Sequence, residues 1–198
     1  MTQHRLRAAL LPGFLLGLAT LLQGGTASAT RPELPFHPPA SEAEQALDAI
    51  IRRADADPDP LSNLLEGRGR RGFRPSVDYA AALTPALLAS IRSTERALLR
   101  RNCGGRYRPG EICGLDFVPL TCAQDSAETY LYRTQVARPG EAIIAYRPPG
   151  ESRTPVATYR LLRRGGAWRI DGIRCGEGMP AFNPAAFNPS ARRARGGG

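Results

Sequence analysis

The feature that most constrains this 198-residue chain is a change of hydrophobic period near Asn102. Before that point, apolar residues recur at the spacing of three and four residues that places them on one side of a helix. After it, apolar and polar residues alternate, as they do in strands with one buried face. Helices therefore come first and strands follow. This order predicts an α+β architecture and disfavours the alternating strand and helix order of nucleotide-binding folds.

Three amphipathic helices are predicted in the first half. The first shows the capping-box pattern, in which a Ser N-cap and a Glu three residues later bond each other's backbone N–H groups. The second and third each begin with an N-cap residue followed by proline, whose fixed φ suits the first helical position. The predicted helices are 41–54 starting at Ser41, 60–66 after Asp59, and 85–101 after Thr84.

Four strands are predicted in the second half. They are separated by Pro-Gly, Pro-Pro-Gly and Gly-Gly breaks, and the last of these is a two-residue hairpin signal. Short turns between consecutive strands indicate an antiparallel meander, so we expect N-terminal helices packed on one face of a curved antiparallel sheet. The predicted strands are 129–137, with Tyr130, Tyr132 and Val136 on one face, then 141–147, 156–164 and 167–174.

The first 29 residues have the pattern of a secretory signal peptide. Arg5 and Arg7 precede a short apolar stretch over 8–22, and Ala27-Ser28-Ala29 is a small-residue cleavage site. The stretch is shorter than the roughly 20 apolar residues that a membrane-spanning helix needs. We expect cleavage after Ala29, a periplasmic or secreted protein, and no membrane span after cleavage.

The rest of the chain is predicted to hold one domain. Residues 30–40 are proline-rich and are expected to form an extended lead-in. The single α+β domain is predicted over 41–175. Residues 176–198 are rich in Arg, Pro and Gly and are expected to be a disordered tail, because they have too little apolar surface to offset the entropy of ordering.

Four cysteines follow the third predicted helix, and no two of them form the C-x-x-C pair typical of zinc sites. In an exported chain we expect two disulfides rather than a metal site. Three connectivities are possible. Cys103–Cys113 with Cys122–Cys175 is favoured, because the glycines and proline of the first loop let it close.

The formal net charge of +9 raises the question of nucleic-acid binding. All 27 basic side chains are arginines, and five of them lie in the leader or in the last seven residues. The remaining arginines nearly balance the 18 acids and are dispersed along the chain. We therefore expect a solvated basic surface and no nucleic-acid partner.

The residue inventory argues against the common catalytic constellations. His4 lies in the leader and His37 in the lead-in, so a catalytic histidine would have to fold back over the domain. No phosphate-cradling loop or histidine-rich cluster is present, and no cofactor or metal is expected.

What remains is carboxylate chemistry at Asp116, Asp125 and Asp171. A carboxyl group in an apolar cavity has its pKa raised by desolvation and can act as a general acid or base. The structural alternative for Asp171 is an ion pair with an arginine on a neighbouring strand, such as Arg160.

The segment GLDFVPLTCAQDS, 114–126, interrupts an apolar run with a proline. Pro119 is expected at an edge or bulge. Gln124 and Asp125 either cap the following turn or face the mouth of a pocket. Aromatic side chains either line that pocket or fill the core, and the candidates are Tyr130, Tyr132, Tyr146, Tyr159 and Trp168.

Two short motifs suggest a family. The run Ala123-Gln124-Asp125 and the run Trp168–Ile173, WRIDGI, resemble the bacterial domain of unknown function 3828 family over roughly 42–175. Val118 departs from the aspartate that precedes proline in that family's pattern. The resemblance implies a cone-shaped fold like that of nuclear transport factor 2, in which helices cover a bent sheet and leave an open pocket. That fold hosts enzymes, ligand binders and interaction modules, so it does not decide function.

These observations predict that the protein is an exported, non-catalytic binding or interaction module, whose partner is an unknown small molecule or exported protein. One alternative is a cone-fold hydrolase or isomerase that uses a buried Asp as general acid or base. Another is an inhibitor or immunity-like partner of a second exported protein. The candidate pocket residues are Asp116, Gln124, Asp125, Tyr130, Tyr132, Tyr159, Trp168 and Asp171.

Overall fold

A computed structural model describes residues 34–66, 76–125, 127–150 and 156–188. The predicted signal peptide and residues 189–198 of the predicted tail lie outside this part of the chain. Within it, three α-helices precede a five-stranded antiparallel sheet whose strands follow one another in chain order, without closure into a barrel. The predicted α+β class and the meander are confirmed.

The helices begin where their caps predict. Ser41 Oγ accepts the Glu44 N–H at 3.2 Å, and the Glu44 carboxylate accepts the Ser41 N–H at 3.0 Å, which completes the capping box. The third helix runs two residues beyond the predicted end and stops at Gly104, whose φ of 68° is left-handed. The helices are α1 (Glu42–Asp55), α2 (Pro60–Glu66) and α3 (Pro85–Cys103).

Four strands of the sheet correspond to the predicted ones. They are β1 (Leu131–Arg138), β2 (Glu141–Arg147), β3 (Ala157–Arg164) and β4 (Ala167–Cys175). The expected face of Val136 is wrong, because a bulge lies between Thr134 and Val136 and leaves Gln135 unpaired. Thr134 pairs with Ile144, whereas Val136 pairs with Ile143, so the extra residue moves Val136 to the face opposite Tyr132.

The expectation of disorder after residue 175 is wrong for 176–188. Residues Ala181–Phe182 form β5, which pairs with β4, and a 3₁₀ turn follows at Pro184–Phe187. Phe182 is fully buried, and a Cβ at Gly172 of β4 would overlap Ala186 and the ring of Phe187. Phe182, Ala186 and Phe187 therefore anchor residues 176–188, whereas the Arg- and Gly-rich composition behind the expectation comes mainly from residues 189–198.

One core cluster joins the helices to the sheet. Leu47 and Ile51 of α1, and Leu87 and Ile91 of α3, are completely buried together with the inward side chains of β2, β3 and β4. Each such Leu or Ile contributes about 1.5–3 kcal/mol by leaving water. α1 contacts β4 and is hydrogen-bonded to β1 through Asp48 and Tyr132, while α3 contacts β4 and β5.

Both favoured disulfides are present. Cys103–Cys113 joins the end of α3 to a point ten residues later. Cys122–Cys175 joins the long connection between α3 and β1 to the end of β4. Among the described residues, no helix has the length and apolar character to span a membrane.

Candidate binding cleft

A cleft of about 740 Å³ lies beside the Cys122–Cys175 bridge. One wall is residues 115–125, which we name the cleft loop. The opposite wall comes from the end of β2, the start of β3 and the segment 178–180 that follows β4. The lining residues are Asp116, Phe117, Cys122, Ala123, Gln124, Asp125, Ala127, Tyr130, Tyr146, Pro148, Val156, Gly178, Met179 and Pro180.

The cleft loop is folded on itself by backbone bonds. Val118 N–H donates to the carbonyl of Ala123 at 3.1 Å, and Cys122, at a left-handed φ of 53°, donates its N–H to the carbonyl of Val118 at 2.9 Å. Pro119 therefore lies in a tight turn between two bridge residues, and not in a bulged strand as expected. Its missing N–H costs nothing at that position.

Two buried tyrosines of the sheet bond to the backbone of the cleft loop. Tyr159 donates its hydroxyl to the carbonyl of Leu120 at 2.7 Å, and Tyr146 donates to the carbonyl of Thr121 at 3.3 Å. With the disulfide at Cys122, these bonds fix the turn against the sheet. The cleft is therefore a preformed feature of the fold.

The cleft has an acidic rim and an apolar floor. Asp116, Gln124 and Asp125 are exposed, and Gln124 donates its amide to the carbonyl of Asp116 at 3.0 Å. Phe117 and Tyr130 are buried below them. Of the two predicted roles for Gln124 and Asp125, the structure places them at the mouth of a pocket.

No arginine, lysine or histidine lines the cleft among the described residues. This absence contrasts with a chain whose formal net charge is +9. Asp116 and Asp125 are therefore the only charged side chains in the described lining, and at close range they favour a cation over an anion.

Tyr130 is tied to a residue that the sequence analysis missed. Its hydroxyl donates to the Asp55 carboxylate and accepts the Ala127 N–H at 2.9 Å. Burial raises the pKa of Asp55, against the opposing effects of the Tyr130 bond and Arg52, and burial together with Asp55 raises the pKa of Tyr130 to about 12. The single hydroxyl proton is committed to Asp55, so Tyr130 shapes the floor and offers no free proton to a ligand.

A sequence signal for this pairing existed. Glu44, Asp48 and Asp55 recur at helical spacings of four and seven on α1, beside the apolar stripe that enters the core. Each meets a hydroxyl group of β1 or the residue before it: Thr134, Tyr132 and Tyr130 respectively. Acids bordering an apolar helix face, followed by a strand with tyrosines, indicate such bonds.

Two of the proposed pocket tyrosines do not line the cleft. Tyr132 is fully buried and donates to Asp48 at 2.9 Å, and Tyr159 is fully buried with a pKa raised well above its usual value by burial. Their rings surround Tyr146, at centroid distances of 6.1 and 5.7 Å. These aromatics fill the core, as the structural alternative stated.

Asp171 lies away from the cleft in a buried ionic network. Its carboxylate pairs with Arg160 and accepts the Thr84 hydroxyl at 2.8 Å, while Arg160 also pairs with Glu141 at 3.0 Å. The expected Arg160 partner is confirmed. Since Asp116 and Asp125 are exposed, the desolvated and unpaired carboxyl group that the enzyme alternative requires is found at none of the three candidate aspartates.

Trp168 lines a second, smaller cavity of about 430 Å³ near the start of α1. The buried Glu44 carboxylate faces this cavity with its partners already in place. Burial opposes its ionisation, but the backbone N–H groups of Ser41 and Ala40 and the Thr134 hydroxyl hold the pKa of Glu44 below its usual value. The Glu44 carboxylate is therefore satisfied without a ligand, whereas the buried indole N–H of Trp168 has no hydrogen-bond partner among the described residues.

Among the described residues, one group of possible metal ligands comes together: Cys103, Glu111 and Cys113. The sulfurs of Cys103 and Cys113 form a disulfide with each other, so neither is a thiolate that could hold a metal. No family model, no curated protein and no solved structure matches this chain.

Proposed function

We propose that this protein is an exported, non-catalytic binding module whose cleft takes an organic cation with an apolar portion, such as an amine or a basic side chain. The observation that carries the proposal is the combination of a carboxylate rim at Asp116 and Asp125, an apolar floor, and a lining without cations among the described residues. Shape and apolar contact retain the ligand, and the carboxylates select its charge.

The wider proposal includes the family and the cellular location. Ala123, Gln124 and Asp125, which carry part of the resemblance to the domain of unknown function 3828 family, line the cleft. The proposal therefore includes the cone-shaped fold that this resemblance implies, with its pocket at the cleft. Two disulfides are compatible with cleavage of the leader after Ala29 and a periplasmic or secreted location.

Calorimetric titration with three ligands of one shape tests the cleft: 4-phenylbutylammonium, 4-phenylbutanol and 4-phenylbutyrate. We expect the cation to bind most tightly, the alcohol more weakly, and the carboxylate weakest. Changing Asp116→Asn and Asp125→Asn together is expected to lower the affinity for the cation about tenfold, because each exposed carboxylate at close range contributes somewhat under 1 kcal/mol.

The matched control removes two carboxylates outside the cleft. Glu42 and Asp59 do not line it, so Glu42→Gln with Asp59→Asn is expected to leave the affinity for the cation unchanged. Equal binding of the cation and the anion, or equal losses in the two double variants, contradicts the proposal.

A further inference from the structure

A second surface with the opposite charge follows α3. Residues 104–112, closed by the Cys103–Cys113 disulfide, are named here the arginine loop, and every one of them is exposed. It carries the two most exposed large apolar side chains among the described residues, Ile112 at 70% and Tyr107 at 67%. These two side chains give the loop an exposed apolar component beside its charged groups.

Four arginines lie in or beside this loop along the chain. Arg106 and Arg108 lie in the loop, and Arg100 and Arg101 lie in the last turn of α3 just before it. The single acid, Glu111, pairs with Arg108 at 3.6 Å. Among the described residues the other three arginines form no ion pair, and Arg101 Nε donates to the Asn102 side chain at 3.2 Å, so their charges remain for an anionic partner.

The arginine loop is held in one shape. Besides the disulfide, the Asn102 side chain donates to the carbonyl of Cys113 at 3.3 Å, and the Tyr107 hydroxyl donates to the buried Glu95 carboxylate at 2.6 Å. The Tyr107 ring is thus anchored at its hydroxyl end while most of its side chain remains exposed. A partner would meet a preorganised surface and lose little loop entropy on binding.

We propose that the arginine loop docks the protein onto an anionic phospholipid surface. Arginine forks bind phosphate groups, and tyrosine favours the membrane–water interface. Ile112 supplies an apolar group that can enter the acyl boundary. A stable protein interface usually takes 20–30 residues a side, more than this short loop offers, whereas attraction to an anionic bilayer grows with each arginine near the surface. These features favour a membrane over an acidic protein.

Sedimentation with vesicles tests the proposal. Wild type and variants are purified in the same N-terminal form and mixed with vesicles of phosphatidylcholine alone or with added phosphatidylglycerol. We expect binding that depends on phosphatidylglycerol and falls with salt. Arg106→Gln with Arg108→Gln is expected to weaken it about 25-fold, since each arginine near an anionic surface contributes a factor of about five.

Two further variants separate the loop from general surface charge. Arg138→Gln with Arg164→Gln removes the same charge from exposed positions in two strand hairpins, and is expected to change binding less than about twofold. Ile112→Ser is expected to weaken binding about fivefold at both low and high salt, because its contribution is apolar.

Equal losses in the two double-arginine variants overturn the proposal, as does binding that is independent of phosphatidylglycerol. Loop-dependent binding to polyglutamate without binding to vesicles also overturns it, in favour of an acidic protein partner. These readouts do not involve the cleft cation, so they stand or fall independently of the proposed cleft function.

Discussion

The arginine loop and the cleft loop are neighbours in sequence, separated by Cys113 and Gly114, yet they differ in exposure, in charge and in the length of chain that their disulfides close. The arginine loop is exposed, cationic and closed on itself by a disulfide that spans ten residues. The cleft loop has a buried body and an acidic rim, and is tied to a distant strand by a disulfide that spans 53 residues. A short disulfide shapes a surface, whereas a long one closes the fold.

Their junction is the buried Glu95 of α3. One carboxylate oxygen accepts the Tyr107 hydroxyl from the arginine loop, and the other accepts the Leu115 N–H from the cleft loop, each at 2.6 Å. A single helical acid therefore positions both loops. Two loops of opposite charge are thus held to the same buried side chain.

The largest expected effect comes from breaking the long disulfide. Cys122→Ala with Cys175→Ala is expected to cost about 4 kcal/mol in the free energy of unfolding, against about 2.7 kcal/mol for Cys103→Ala with Cys113→Ala, because closure entropy grows with loop length. Urea unfolding measures both. Equal costs, or a larger cost for the short bridge, would remove the distinction between a fold-closing and a surface-shaping disulfide.

The second largest expected effect on the free energy of unfolding comes from disturbing Glu95, which joins the two loops. A Cβ at Gly114 would overlap the Glu95 carboxylate, so Gly114→Ala is expected to displace the acid from both loops at a cost of about 2–3 kcal/mol. Gly176→Ala is the control, since its Cβ would meet only the Val156 carbonyl at an ordinary 3.5 Å. We expect the control to stay within about 0.5 kcal/mol of wild type. Similar unfolding midpoints for both variants would mean that Glu95 does not couple the loops.

The two loops also show what a sequence can and cannot predict here. Caps such as Ser41 and Thr84, and the Gly165-Gly166 turn, act within a few residues, and the elements that they bound were predicted. The short disulfide was favoured on similarly local grounds. The bulge at Gln135 and the burial of Phe182 depend on residues far along the chain, and no local pattern reveals them. The cleft is intermediate: its rim was predicted from one segment, while its Asp55 contact required the packing of α1 on β1.

A smaller effect separates the tyrosines of the two regions. Tyr130→Phe removes a buried donor to Asp55 and an acceptor for Ala127, and is expected to cost about 2 kcal/mol at neutral pH. Tyr107→Phe removes a mostly exposed hydroxyl, so solvent screening is expected to keep its cost under about 1 kcal/mol. Urea unfolding at neutral pH gives both values.

The pH dependence checks the same comparison. The pKa of each tyrosine is raised to about 12, by burial and by its acid partner. A folded-state pKa above the unfolded value of about 10 stabilises the fold below pH 10, and this contribution is lost as the pH rises towards 12. The difference in the free energy of unfolding between wild type and Tyr130→Phe should therefore shrink between pH 10 and pH 12. A constant difference would show that the bond to Asp55 is not linked to the ionisation of Tyr130.

The smallest effect is expected where the two loops differ most in charge. Asp125→Asn on the rim and Arg106→Gln on the arginine loop each alter an exposed side chain without an ion-pair partner among the described residues. Both are expected to change the free energy of unfolding by less than about 0.5 kcal/mol. A loss above about 1 kcal/mol in either variant would mean that the charge supports the fold, and it would weaken the assignment of that surface to a binding role. Charges that contribute little to stability and yet cluster by sign are those for which an external partner is the best physical explanation.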